Sequence, residues 1–177
     1  MQAKSSLPKK GRLENIDIVR VMLIKDSGSP YKTQRVTKSA DVVNVAKNFL
    51  AGQDREVFIT INIDNANHIN SIHVVSIGTL DATIIHPREV FKSAILSNAK
   101  AIILAHNHPS GNPSPSDNDN QITCKLFGCG DMLGIEVLDH IIIGDGEYSH
   151  CMKFEGKDKK EIHWLTDKII DEQGEAS

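Results

Sequence analysis

Residues 101–119 constrain the fold most: a short run of apolar residues, AIILA, passes directly into HNHPSGNPSPSD and then into a stretch with helical character. Three prolines and a glycine within that loop remove backbone donors and fix dihedrals, so it cannot continue either a strand or a helix. The chain must therefore leave a buried strand at 101–105, cross an irregular loop, and enter a helix at 117–132. Ser116 stands where an N-cap hydroxyl is wanted.

Elements of both periods surround this segment. Residues 16–24, IDIVRVMLI, are rich in β-branched and aliphatic side chains and predict an early or edge strand. Val42, Val43, Val45, Ala46, Phe49 and Leu50 recur at helical spacing behind a Ser/Asp start and before Gly52, which predicts a helix over 39–51. EVFITINI at 56–63 and HINSIHVVSI at 68–77, joined by Asp-Asn-Ala-Asn, predict a hairpin. Pro87 opens a helix whose Val90, Phe91, Ala94 and Ile95 share a face. Gly134 admits a strand over 136–143, GDGEYSHCM suggests a hairpin return, and Ile162, Leu165, Ile169 and Ile170 suggest a terminal amphipathic helix with a frayed end.

The 177 residues fit one domain, at 40% hydrophobic and 24% charged residues, and no apolar run approaches the ~20 residues that span a bilayer. No membrane association is expected. The first residues are basic with no apolar stretch behind them to act as a secretion signal, so the expected compartment is the cytoplasm. Cys124, Cys129 and Cys151 are odd in number and form no CxxC pair, which argues against a disulfide framework and against a thiolate zinc site. The net charge of −3 hides an asymmetry, since residues 1–38 hold nine Lys or Arg against three acids. A basic arm over 1–15 could touch nucleic acid, although such arms are commonly just solvated. The expected division is this arm, a core over 16–153, and a charged extension over 154–177.

His106 and His108, two residues apart at a strand end, project to the same side, because strand side chains alternate with period two. Asp119 follows eleven residues after His108, in the first turn of the expected helix, where the proline loop can bring it back to the strand end. Two imidazoles and a carboxylate make three N/O ligands with a fourth position for water, the arrangement of a catalytic zinc site. Each fragment alone has a plainer explanation, since Ser116 and Asp119 could simply cap a helix. Together, His106-x-His108, the seven residues 109–115 and Ser116-x-x-Asp119 form a composite that capping does not demand. Asp117 is the local rival, but only Asp119 shares a helical face with Ser116.

That composite resembles the JAMM pattern of MPN-domain metalloproteases, HxH followed seven residues later by SxxD. The stretch GTLDATIIHPREVFKSAILSNAKAIILAHNHPSGNPSPSDNDNQIT, with GIEVLDHIIIG after it, is similar to the core of RadC-family proteins over most of residues 50–150. The resemblance implies a single α/β JAMM/MPN-like domain of cytidine-deaminase-like architecture, with a mixed, partly curled sheet flanked by helices. It implies one Zn2+ ion held by His106, His108 and Asp119, with Ser116 at the substrate carbonyl and its oxyanion. It also implies an upstream glutamate acting on a water at the metal. Glu56, just before EVFITINI's apolar run, and Glu89, in the first turn of the Pro87 helix, are the two candidates; motif order favours Glu56.

The expected activity is zinc-dependent hydrolysis of peptide or isopeptide amide bonds in a protein or peptide substrate. The alternative is a DNA-associated accessory protein with a mainly structural metal. Long RadC-type chains carry an N-terminal helix-hairpin-helix region; the expectation here is a short form without it, so the link to DNA repair transfers weakly. A zinc deaminase would need HxE and PCxxC elements, which do not occur in these positions. The triplet His106-Asn107-His108 spells the name of the HNH nucleases by accident. His140, within VLDHIIIG, is either a partner behind a ligand or a buried core histidine.

Overall fold

The computed structural model describes residues 20–24, 35–37, 39–78 and 85–151. Helix α1 (Ser39–Leu50) precedes a hairpin of β1 (Glu56–Ile63) and β2 (Ile69–Gly78). Helix α2 (Pro87–Leu96) leads to β3 (Ala101–Asn107), and α3 (Asp117–Leu133) joins β3 to β4 (Glu136–Ile143). A short β5 (Tyr148–His150) returns beside β4. Together these strands make one mixed sheet in the order β2-β1-β3-β4-β5. β1 is antiparallel to both β2 and β3, whereas β3 and β4 are parallel and so need a crossover, which α3 provides.

Alternation along β1 feeds two separate cores. Val57, Ile59, Ile61 and Ile63 face α1 and pack with its Val42, Val43, Val45, Ala46 and Leu50. Phe58 faces the other way, where Val90, Phe91 and Ala94 of α2 and Leu126 and Phe127 of α3 close over Ile102, Leu104 and Val137. Each fully buried side chain of this size contributes about 1.5–3 kcal/mol relative to exposure. A strand covered on both faces reads as a continuous apolar run, as AIILA does; in β1 the face toward α2 carries Thr60 and Asn62, both buried.

Most element bounds agree with the sequence reading, and the departures have physical causes. β3 continues through His106 and Asn107 because both residues pair across the sheet, His106 with Phe58 of β1 and Asn107 with Ile143 of β4. Ile95 was expected on the buried face of α2, yet it is 54% exposed. Ser93 takes an inward place instead, because Thr60 and Asn62 of β1 offer it hydrogen-bond partners at 3.3 and 3.2 Å.

The expected strand at 16–24 is corrected over its described part: Arg20–Ile24 pairs with nothing in the sheet, and Val21 and Ile24 are 68% and 80% exposed. β-propensity describes fit to a half-buried pleated surface and does not create a strand without a neighbour. The basic arm at 1–15 and the extension at 154–177, with its expected helix, lie outside the described residues. No described helix is long and apolar enough to cross a membrane.

Candidate metal centre

The proline loop returns to the sheet because it is tied to the β4–β5 turn. His108 N–H donates to the Ile143 carbonyl at 2.9 Å, and Asp145 N–H donates to the Gly111 carbonyl at 2.8 Å. A side-chain carbon at Gly144 would lie 2.2 Å from the Gly111 oxygen, so this approach requires glycine there. The Ser149 hydroxyl donates to the Pro113 carbonyl and fixes the far side of the loop. The N-terminus of α3 is thereby held against the end of β3.

Ser116 caps that helix, and Asp119 completes the capping box. Asp119 Oδ2 accepts from the Ser116 backbone N–H at 2.8 Å and from its hydroxyl at 2.6 Å. The plainer explanation of the SxxD pair is therefore true as far as it goes, yet it uses only one carboxylate oxygen. Asp119 is 1% exposed and its Oδ1 is buried with no hydrogen-bond partner. That oxygen lies 3.3 Å from His106 Nε2.

The two imidazoles meet it there. His106 Nε2 and His108 Nε2 are 3.0 Å apart, and His108 Nε2 is 3.5 Å from Asp119 Oδ2. His108 Nδ1 donates to the Asn112 carbonyl at 2.8 Å, which leaves Nε2 as a lone-pair atom in the neutral ring. Glu56 completes the cluster, with Oε1 3.8 Å from His106 Nε2 and 3.7 Å from His108 Nε2. Glu56, His106 and His108 thus form a group that could hold a metal ion. Two ring nitrogens converging at 3.0 Å beside an unpartnered buried carboxylate oxygen require a shared proton or a cation between them. The donor set suits a divalent transition metal.

Electrostatics divides the cluster. Burial pushes His106 down to about 4, against the opposing pull of the Asp119 carboxylate. Burial likewise holds His140, which is fully enclosed, well below the usual histidine range. His108 is raised by its bond to Asp119, and Asp119 is held well below the usual carboxylate range because bonds from His108 and Ser116 outweigh its burial. A pH dependence of the metal-free protein follows. An unfolded histidine binds a proton below about 6.5, and folded His106 does so only below about 4. Between those values the unfolded chain holds more protons, so stability falls as pH falls. His106 alone is worth roughly 3 kcal/mol across that interval. His140 adds in the same sense, and the raised His108 opposes both. Urea midpoints of metal-free protein should drop between pH 7 and pH 4.5, and a flat profile would show that the gain at His108 matches the penalty at the buried rings.

All five residues expected from the sequence, Glu56, His106, His108, Ser116 and Asp119, converge here. Glu89 is elsewhere, paired with Lys92 and close to Arg88 on the surface of α2. Asp117 is exposed at the first position of α3. A family model described as the RadC-like JAB domain matches residues 36–157, an interval that contains the whole cluster. The chain belongs to the RadC-like JAB domain family. Among curated relatives, a UPF0758 protein of Methanosarcina mazei is 49% identical over 115 residues, covering 65% of this chain and 50% of its own length. One from Desulfitobacterium hafniense is 43% identical over 122 residues, covering 69% and 54%. Another from Rubrobacter xylanophilus is 38% identical over 130 residues, covering 73% and 56%. The chain spans about half the length of the curated relatives it matches.

Two residues of this JAB domain escaped the sequence reading. Asn107, between the histidines, points to the opposite face and is buried; its side-chain oxygen accepts from Val57 N–H and its amide donates to the Arg55 carbonyl, both at 2.9 Å. It grips the backbone on either side of Glu56. The alternation that placed the histidines on one face already placed Asn107 on the other. Thr123 is one helical turn beyond Asp119, a spacing that puts both on the same face of α3, and its hydroxyl contacts His140 Nδ1 at 2.6 Å.

Proposed function

We propose that this protein is a zinc-dependent hydrolase of amide bonds, acting on a peptide or isopeptide linkage. The observation that carries the reading is the unpartnered buried Oδ1 of Asp119, set 3.3 Å from His106 Nε2 beside His108, with a second carboxylate, Glu56, opposite. His106, His108 and Asp119 would hold the ion. Zinc, when bound, supplies Lewis-acid chemistry that makes a water nucleophilic near neutral pH and polarises a carbonyl.

The chain's own residues do the rest. Glu56 accepts a proton from the attacking water and delivers it to the leaving nitrogen. It is the less buried of the two carboxylates, so it can face a substrate while Asp119 stays fixed. The Ser116 hydroxyl donates to the carbonyl oxygen as charge develops there. It does so by releasing Asp119 Oδ2, which keeps its bond from the Ser116 backbone N–H. Membership in the JAB domain family supports the same assignment.

The test is a screen of zinc-loaded protein against peptide and isopeptide libraries. Cleavage that stops on chelation and returns with added zinc is the expected result. No turnover in either library, from protein shown to carry one equivalent of zinc, would sink the reading.

A further inference from the structure

His106 is fully buried, and among the described residues its Nδ1 meets neither a carbonyl nor a carboxylate. It meets His140 Nε2 at 2.8 Å, and His140 Nδ1 lies 2.6 Å from the Thr123 hydroxyl. That hydroxyl in turn lies against the backbone carbonyl of Asp119. A neutral imidazole has one donor and one acceptor, so the two ring contacts allow only two proton orders. In the first, His106 Nδ1 donates to His140, His140 Nδ1 donates to Thr123, and Thr123 donates to the Asp119 carbonyl. In the second, Thr123 donates to His140, His140 Nε2 donates to His106 Nδ1, and the His106 proton sits on Nε2, which then cannot bind a metal.

The Asp119 carbonyl distinguishes them. A carbonyl can only accept, so the one hydrogen of the Thr123 hydroxyl is drawn to it, and the hydroxyl oxygen is left to accept from His140. The remaining neighbour of Thr123 is Cys151, with Sγ at 3.3 Å, a weak acceptor whose own hydrogen is directed to Asn120 Oδ1 at 3.2 Å. We propose that Thr123 and His140 form a proton-ordering relay that holds His106 with its proton on Nδ1 and its Nε2 lone pair toward the metal. Both are positioning residues, acting through His106. The relay starts from the backbone of the residue that supplies the carboxylate ligand, so α3 orients one ligand while presenting another. The inference rests on the metal-centre reading of the site, not on amide hydrolysis.

Two readouts test it, neither of them activity. In metal-free protein labelled with 15N at histidine, long-range proton–nitrogen spectra should show His106 and His140 both protonated at Nδ1. Thr123→Val removes the hydroxyl at nearly constant volume. It should introduce an Nε2-protonated population of His106 and weaken zinc binding about tenfold in competition with a chromophoric chelator, within the 10–100-fold range of such outer partners. Thr123→Ala should do the same, and Thr123→Ser should restore both. Wild-type His106 protonated at Nε2 would overturn the relay, as would unchanged spectra and zinc affinity in Thr123→Val. Failure of the wild type to bind zinc would instead sink the metal reading, and the metal-free spectra would still decide the relay.

Discussion

Asp119→Ala protein, purified without added zinc or desalted after exposure to it, should contain no stoichiometric metal, whereas the wild type should retain one equivalent. The variant removes the buried Oδ1 that has no hydrogen-bond partner and leaves the two imidazoles with Glu56 alone of the cluster's two carboxylates. Losing a ligand should exceed the 10–100-fold loss of affinity typical when an outer partner is removed. Because Asp119 also closes the capping box, alanine weakens the start of α3 by about 1 kcal/mol as well. Asp119→Asn separates the two roles. Its amide oxygen can still accept from Ser116 N–H, so the cap largely survives while the anionic oxygen beside His106 is gone. His106→Ala should lose metal to the same extent. Full occupancy in both His106→Ala and Asp119→Ala would remove these residues from the site.

Glu56→Gln is the second large effect, and it is expected to separate chemistry from binding. Glutamine preserves the shape of the side chain but not a basic oxygen, so turnover should fall about 10^2–10^4-fold, the range of a lost general acid–base group. Metal content and urea midpoint should stay near wild type. Glu89→Gln is the matched control, because Glu89 is engaged with Lys92 on the outside of α2 and should not affect turnover. Should Glu56→Gln lose zinc as readily as Asp119→Ala, Glu56 would be a ligand; should it keep full turnover, the proton carrier lies elsewhere.

Local rules made much of this site readable. Period two brought His106 and His108 to one side, and the i, i+3 spacing separated Asp119 from Asp117. Proline and glycine marked the loop that lets them meet. What local rules could not supply was contact across the sheet. Nothing near Glu56 in the chain indicates that its strand pairs with β3, which is what places it beside the histidines and leaves Glu89 outside. Likewise the closeness of Gly144 to Gly111 joins two loops more than thirty residues apart. Ile95 was misplaced because α2 covers a sheet face that carries Thr60 and Asn62, so a serine turned inward. Residues 20–24 have strand composition but pair with no strand among the described residues.

The grip of Asn107 on both sides of Glu56 has a consequence for how the chain reaches its final pairing. Shifting β1 by one residue against β3 would turn every side chain of β1 to the opposite core, Glu56 included. In such a mispaired chain the Asn107 amide would face neither the Arg55 carbonyl nor the Val57 N–H, leaving polar groups buried without partners at about 1–3 kcal/mol each. One amide between two histidines therefore works as a check on strand alignment: pairing out of register leaves it and its backbone partners unsatisfied, and Glu56 reaches the histidines only in the aligned sheet.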